Sequence, residues 1–181
     1  MKKQAGFTLI EIAIVLVIIG LLLGGVLKGQ EMITNSKIKR TSNDYNGVAA
    51  AVYSYLDRYS ALPGDDVNAA ARWGLTDGDG DGIVDAGEQP DVWEHLRASG
   101  LVAGTGANNP IHAFGGEIYV DNNANGMTGT TICMSVMSGK IGEILDRQLD
   151  DGVGNTGELR QNVASATYTQ TATNLVLCKK L

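Results

Sequence analysis

From Phe7 to Leu27 every position is apolar or small except Thr8 and Glu11. A run of about 21 such residues makes a helix of roughly 30 Å, the depth of a bilayer's hydrocarbon core, so it predicts a membrane-spanning segment. Beyond Leu27 the pattern changes from uniformly apolar to periodic. Tyr45, Val48, Val52, Tyr55, Leu56 and Tyr59 recur at steps of three and four, which draws one apolar stripe along an amphipathic helix. Leu62-Pro63-Gly64 ends that pattern. Together the two stretches predict a continuous helix from about Phe7 to Tyr59, whose stripe must be buried against the residues that follow.

Past the stop the periods shorten. The segments 65–74, 91–100 and 138–149 read as short helices, and GGEIYVDN, TTICMSVM and TNLVLCKK read as strands bounded by turn residues. The simplest arrangement is a meander of antiparallel strands packed on the long helix, an α+β roll. This divides the chain into residues 1–6, a membrane segment 7–27, an amphipathic helix 28–60 and a globular part 61–181.

Charge changes the picture at the amino terminus. Lys2 and Lys3 precede the apolar run, and a positive flank stays in the cytoplasm, which sends everything after Leu27 across the membrane. The small residue available for cleavage, Gly6, also precedes the run, whereas a secretory signal peptide places its site after it. A cut after Gly6 would remove the lysines and leave the apolar segment in place. It would also create an α-amine at Phe7, four residues from Glu11. An acid within such a segment costs up to about 3 kcal/mol and needs a partner. A neighbouring copy displaced by about one turn would bring its own amine to this carboxylate, an attraction on the order of 4 kcal/mol before desolvation.

The order Lys-Lys, Gly6, Phe7-Thr8-Leu9-Ile10-Glu11 and an unbroken apolar helix resembles the leader of type IV prepilins and type II secretion pseudopilins. That resemblance implies cleavage after Gly6 by a membrane prepilin peptidase, N-methylation of Phe7, and docking of identical or homologous pilin subunits through Glu11. It also implies an inner-membrane assembly platform, a place first in the bacterial inner membrane and then in a periplasmic or cell-surface filament, and a pilin-like roll with a carboxy-terminal disulfide loop. By the same analogy residues 161–173 are expected outside. A surface pilus (fimbrium), a secretion pseudopilus and a membrane-anchored calcium-binding domain that does not polymerise are all compatible with these residues. One departure is the absence of proline before Pro63; Gly20, Gly24, Gly25 and Gly29 are the residues there that weaken a helix.

A second motif lies in the globular part. DGDGDGIVDAGE, Asp77 to Glu88, fits the twelve-residue calcium loop: alternate acids Asp77, Asp79 and Asp81, a turn glycine at Gly82, the Ile83 carbonyl, Asp85 through water, and Glu88 closing the shell. The ion would be a structural calcium. Val84 would anchor the loop to the core, with Trp73 and Trp93 beneath it. Weaker echoes occur at Asp121, where Ile132 stands in the place of the closing acid, and in LDDGVGNTGE, which has acids without the spacing.

The remaining composition narrows the function. Twenty acids against 14 bases, a net charge of −6, argue against nucleic acid as the main partner. The two cysteines, Cys133 and Cys178, form one disulfide if this part of the chain is exported. His95 and His112 read as surface or capping residues, no catalytic set stands out, and an enzyme is not expected.

Overall fold

A computed structural model of the chain describes Gly6 and residues 8–181. Helix α1 covers Leu9–Tyr59 and runs unbroken through all four glycines of its apolar half. By internal contacts the chain forms two units, Met1–Lys37 and Ile38–Leu181. In the first unit the large apolar side chains between Leu9 and Leu27 are exposed all round the helix, from 46 % for Ile19 to 88 % for Leu9. A helix with no polar face is one made for an apolar surrounding.

In the second unit the rest of α1 supplies one wall of the core. Ile38, Tyr45, Val48, Val52 and Tyr55 are buried along it, so the expected stripe is in place. Leu56 is a correction, since it lies on the exposed side. Tyr55 one position earlier takes the core place, and the turn of about 100° per residue carries Leu56 round to the edge of the stripe. The helix stops at Ser60, which has φ 54°, a left-handed turn of the chain three residues before Pro63.

The other elements are α2 (Ala69–Trp73), α3 (Asp91–Ala98), β1 (Ile118–Asn122), β2 (Thr130–Met137), α4 (Gly139–Leu149), β3 (Leu159–Gln161) and β4 (Leu175–Lys180). All four strands are antiparallel neighbours in the order β1-β2-β4-β3. This corrects the simple meander. β4 returns between β2 and the short β3, which three residues of Leu-Arg-Gln among polar neighbours do not announce. The α+β expectation holds: α1 of this unit packs on a small antiparallel sheet with short helices. Tyr45 ties the two layers through its hydroxyl, which donates to the Leu177 carbonyl at 2.8 Å.

Cys133 and Cys178 face each other across β2 and β4 and are joined as a disulfide with Cα atoms 4.0 Å apart. Their separation of 45 residues gives a cross-link of about 4 kcal/mol in the chain-entropy account. Within that loop the stretch 161–173 is mainly exposed, although Gln161 belongs to β3 and Tyr168 is buried.

Candidate functional site

At the amino-terminal end α1 starts with a reciprocal cap. The Glu11 carboxylate accepts the Thr8 backbone N–H at 2.8 Å and the Thr8 hydroxyl at 2.7 Å, while Thr8 Oγ1 accepts the Glu11 N–H at 3.3 Å. Threonine and glutamate three apart form the capping box that satisfies donors at a helix start. The signal, Thr-x-x-Glu, stands in the sequence. Both groups are exposed, and one carboxylate oxygen carries both Thr8 bonds. The other keeps its lone pairs for a further donor. Gly6 is exposed; Phe7, Lys2 and Lys3 lie outside the described residues.

The acidic loop folds for reasons visible atom by atom. A Cβ on Gly78 would sit 2.4 Å from the Asp65 Cα, so only glycine lets the two segments touch. Gly80 and Gly82 have φ of 78° and 85°, which glycine adopts at no steric cost. Asp65, buried at 3 % exposure, then reaches into the turn. Its carboxylate accepts from the N–H groups of Gly80 (2.6 Å), Asp81 (3.1 Å) and Gly82 (2.8 Å). Asp65, Asp79 and Asp81 bring one oxygen each within 4.8 Å of the others, an arrangement of hard donors suited to a hard cation.

The twelve-residue set is thus only partly gathered. Asp79 and Asp81 meet, and the third acid is Asp65, from outside the motif. Asp77 accepts the Ala70 N–H at 2.7 Å, Asp85 accepts from Gly87 at 2.7 Å, and Glu88 accepts from Asp79 and Asp85 at 3.0 and 3.2 Å. The Ile83 side chain is exposed, whereas Val84 is fully buried and holds the loop to the core. Asp65 was missed because the acid follows the helix stop at Leu62-Pro63-Gly64, twelve residues ahead of Asp77.

Below the loop is a second layer of buried polar groups. The Asp66 carboxylate accepts the Tyr55 hydroxyl at 2.7 Å, the Asn68 N–H at 2.9 Å, and the Arg72 guanidinium. Burial alone would raise its pKa, but those donors and the Arg72 charge outweigh burial and hold it below the usual carboxylate range. His95 corrects the surface reading: it is fully buried, accepts the Gly64 N–H at Nδ1 (3.0 Å), and its Nε2 meets the Thr76 carbonyl at 2.9 Å. The ring thereby clamps both ends of the segment that carries Asp65. His112 is buried too, between the Phe114 N–H and the Ser135 carbonyl. Short loops leave backbone groups inside, and imidazole has one donor and one acceptor to satisfy two of them. Trp73 packs with Tyr59 at 5.2 Å between ring centroids, while Trp93 is in the main core.

Another acidic group lies at the end of α4, where Asp146, Asp150 and Asp151 also bring oxygens within 4.8 Å. Sequence spacing did not indicate it. Asp121 stands in neither group; its carboxylate accepts from Gln89 at 2.6 Å.

Residues 1–27 match the family described as the prokaryotic N-terminal methylation motif. This motif is the type IV prepilin and pseudopilin leader. No curated protein and no solved structure is matched by the chain. The leader and the exposed apolar half of α1 fit a type IV pilin-like precursor, and the helix is long and apolar enough to cross a membrane.

Proposed function

We propose that the chain is a structural subunit of a bacterial type IV pilus-like filament. It enters the inner membrane as a prepilin, a prepilin peptidase cuts after Gly6 and methylates Phe7, and an assembly platform polymerises the mature chain through α1. The observation that carries this reading is the match over residues 1–27 on a helix whose apolar side chains are exposed among the described residues of its unit. Glu11 then has two successive partners. In the isolated subunit Thr8 caps it; in the filament the ammonium of a neighbour's Phe7 adds to the unused oxygen, favouring parallel helices staggered by about four residues.

Calcium fits the same reading as a structural ion of the exported part. Asp65, Asp79 and Asp81, whose oxygens lie together, would hold it, while Asp77, the Ile83 carbonyl, Asp85 and Glu88 join them only as the sequence motif expects. Bound there, the ion would neutralise repulsion among the carboxylates.

The test is Glu11→Gln, which keeps an acceptor for Thr8 and removes only the charge. Mass spectrometry should still find mature chains beginning at methylated Phe7, while filament yield falls tenfold or more. Wild-type yield from this variant would remove the assigned role of Glu11, and an unprocessed Met1 in a host with the peptidase would remove the leader's.

A further inference from the structure

β1 is an edge strand of the sheet, and its residues alternate between two faces. Ile118 and Val120 are buried in the core, so Tyr119 and Asp121 stand on the other face, with Glu117 one step before the strand in the same alternation. Two loops each supply one amide to one of these acids. Gln89 Nε2 donates to Asp121 Oδ1 at 2.6 Å, and Asn109 Nδ2 donates to Glu117 Oε2 at 3.0 Å. A carboxylate only accepts, so each amide turns its nitrogen to the acid and leaves its own oxygen unused. Tyr119 stands between the two acids along the strand. Its ring packs against Met127 and the cysteine pair, and its hydroxyl forms no hydrogen bond among the described residues. Burial, then the charges of Asp121 and Glu117, raise its pKa, so at neutral pH the hydroxyl keeps its proton and can donate.

Gln89, Asn109, Glu117 and Tyr119 line an open groove of about 670 Å³ together with Asn108 and the small apolar surfaces of Ala86, Pro90 and Ala107. The Asn108 side-chain amide is exposed and forms no hydrogen bond among the described residues, while Arg97 holds its carbonyl at 2.8 Å and so fixes the loop that carries it. The unmet atoms decide what can bind. Oxygens of Gln89, Asn109 and Glu117 are left to accept, and the Asn108 amide and the Tyr119 hydroxyl are left to donate. An anion would face the charges of Glu117 and Asp121, and neither acid stands in a group of three converging metal ligands. An organic cation would answer Glu117 and leave the Asn108 and Tyr119 donors facing it. A hydroxyl both donates and accepts, and the C–H face of a sugar ring suits small apolar residues.

We infer that the groove over Tyr119 binds a neutral saccharide, whose hydroxyls donate to the free oxygens of Gln89, Asn109 and Glu117 and accept from Asn108 and Tyr119. The site lies wholly in the unit Ile38–Leu181 and does not depend on polymerisation. Because both acids are already held by amides and the Asn108 loop by Arg97, little ordering is left for the ligand to impose.

The test applies the full-length chain, in a zwitterionic detergent that carries no sugar, to an array of immobilised neutral oligosaccharides of hexose and N-acetylhexosamine units. Uronic-acid and sulfated oligosaccharides and polylysine stand beside them. The chain should bind one or more neutral probes, and binding should hold between about 0.05 M and about 0.5 M salt, since no ion pair is involved. Tyr119→Phe and Asn108→Ala each remove a group without a partner inside the chain, and each should weaken binding by about fivefold. Asp151→Asn, outside the groove, should leave it within about twofold. Should Tyr119→Phe melt at a lower temperature than the wild type, Asn108→Ala alone decides. Binding to none of the neutral probes, binding to the charged probes alone, loss of binding at the higher salt, or wild-type binding by Asn108→Ala overturns the inference. Each of these outcomes leaves the filament reading standing.

Discussion

Two buried aspartates of this protein make nearly the same bond and are shifted in opposite directions. Asp66 accepts the Tyr55 hydroxyl at 2.7 Å, and Asp146 accepts the Tyr168 hydroxyl at 2.8 Å. Each also takes a backbone N–H, from Asn68 and from Gly152. Yet the Asp66 carboxyl is held below its ordinary range, while Asp146 is pushed above it, by burial first and by the charges of Asp151 and Asp150 as well. The difference is Arg72. Its guanidinium pairs with Asp66 and lies over the Tyr59 ring at 4.7 Å, whereas the charges beside Asp146 are like charges. Hydrogen bonds from a tyrosine and an amide thus do not by themselves offset burial; a cation does. Both tyrosines respond alike, each raised by burial and then by its aspartate.

The largest expected effect comes from removing that cation. Arg72→Met keeps much of the stem's packing and leaves Asp66 buried and unpaired, a loss of about 3 kcal/mol at neutral pH, measurable by denaturant unfolding. It should also turn Asp66 into a second Asp146. In the wild type, Asp66 has a lowered folded pKa. Its contribution is therefore present above about pH 4 and is lost as pH falls through the folded value. Asp146 has the opposite sign, with a contribution complete below about pH 4 and lost as pH rises through its raised value. Arg72→Met should abolish the acid-side loss, and a variant that still loses stability below pH 4 to the wild-type extent would refute the comparison.

A middle-sized effect separates the two acids directly. At pH 7 Asp66→Asn should cost about 2 kcal/mol, since a charge-assisted bond is removed and Arg72 loses its partner. Asp146→Asn should cost less than about 1 kcal/mol, because its surroundings favour the neutral form. Equal losses in thermal or urea unfolding would show that Arg72 does not distinguish the sites.

The smallest expected effect concerns the acidic groups beside these pairs. Calcium at ten times its dissociation constant should stabilise the protein by about 1.4 kcal/mol over chelator, a rise of a few degrees in Tm. The gain should vanish in Asp81→Asn and survive Asp151→Asn. Superimposable melting curves with calcium and chelator would remove the ion from Asp65, Asp79 and Asp81.

The amino-terminal half was legible because its signal is local. Thr8, Glu11 and the apolar run state cap, anchor and helix in consecutive residues, and α1 ends at Tyr59 as its stripe predicts. The short helices and three of the four strands were legible as well, each carrying its own period. β3 was not, because a three-residue strand exists only through its pairing with β4. Asp65 and the buried histidines escaped for the same reason: their roles are set by backbone groups from other segments.

By itself, then, the sequence determined what short-range chemistry can write: a leader, an apolar helix with a capped start, a cysteine pair and a turn built of alternating aspartate and glycine. Only the tertiary structure decided which acid completes that turn, which strand lies between which, and in which direction each of two tyrosine-bound aspartates is shifted. These are matters of proximity between residues far apart in the chain, where burial makes the nearest charge count most.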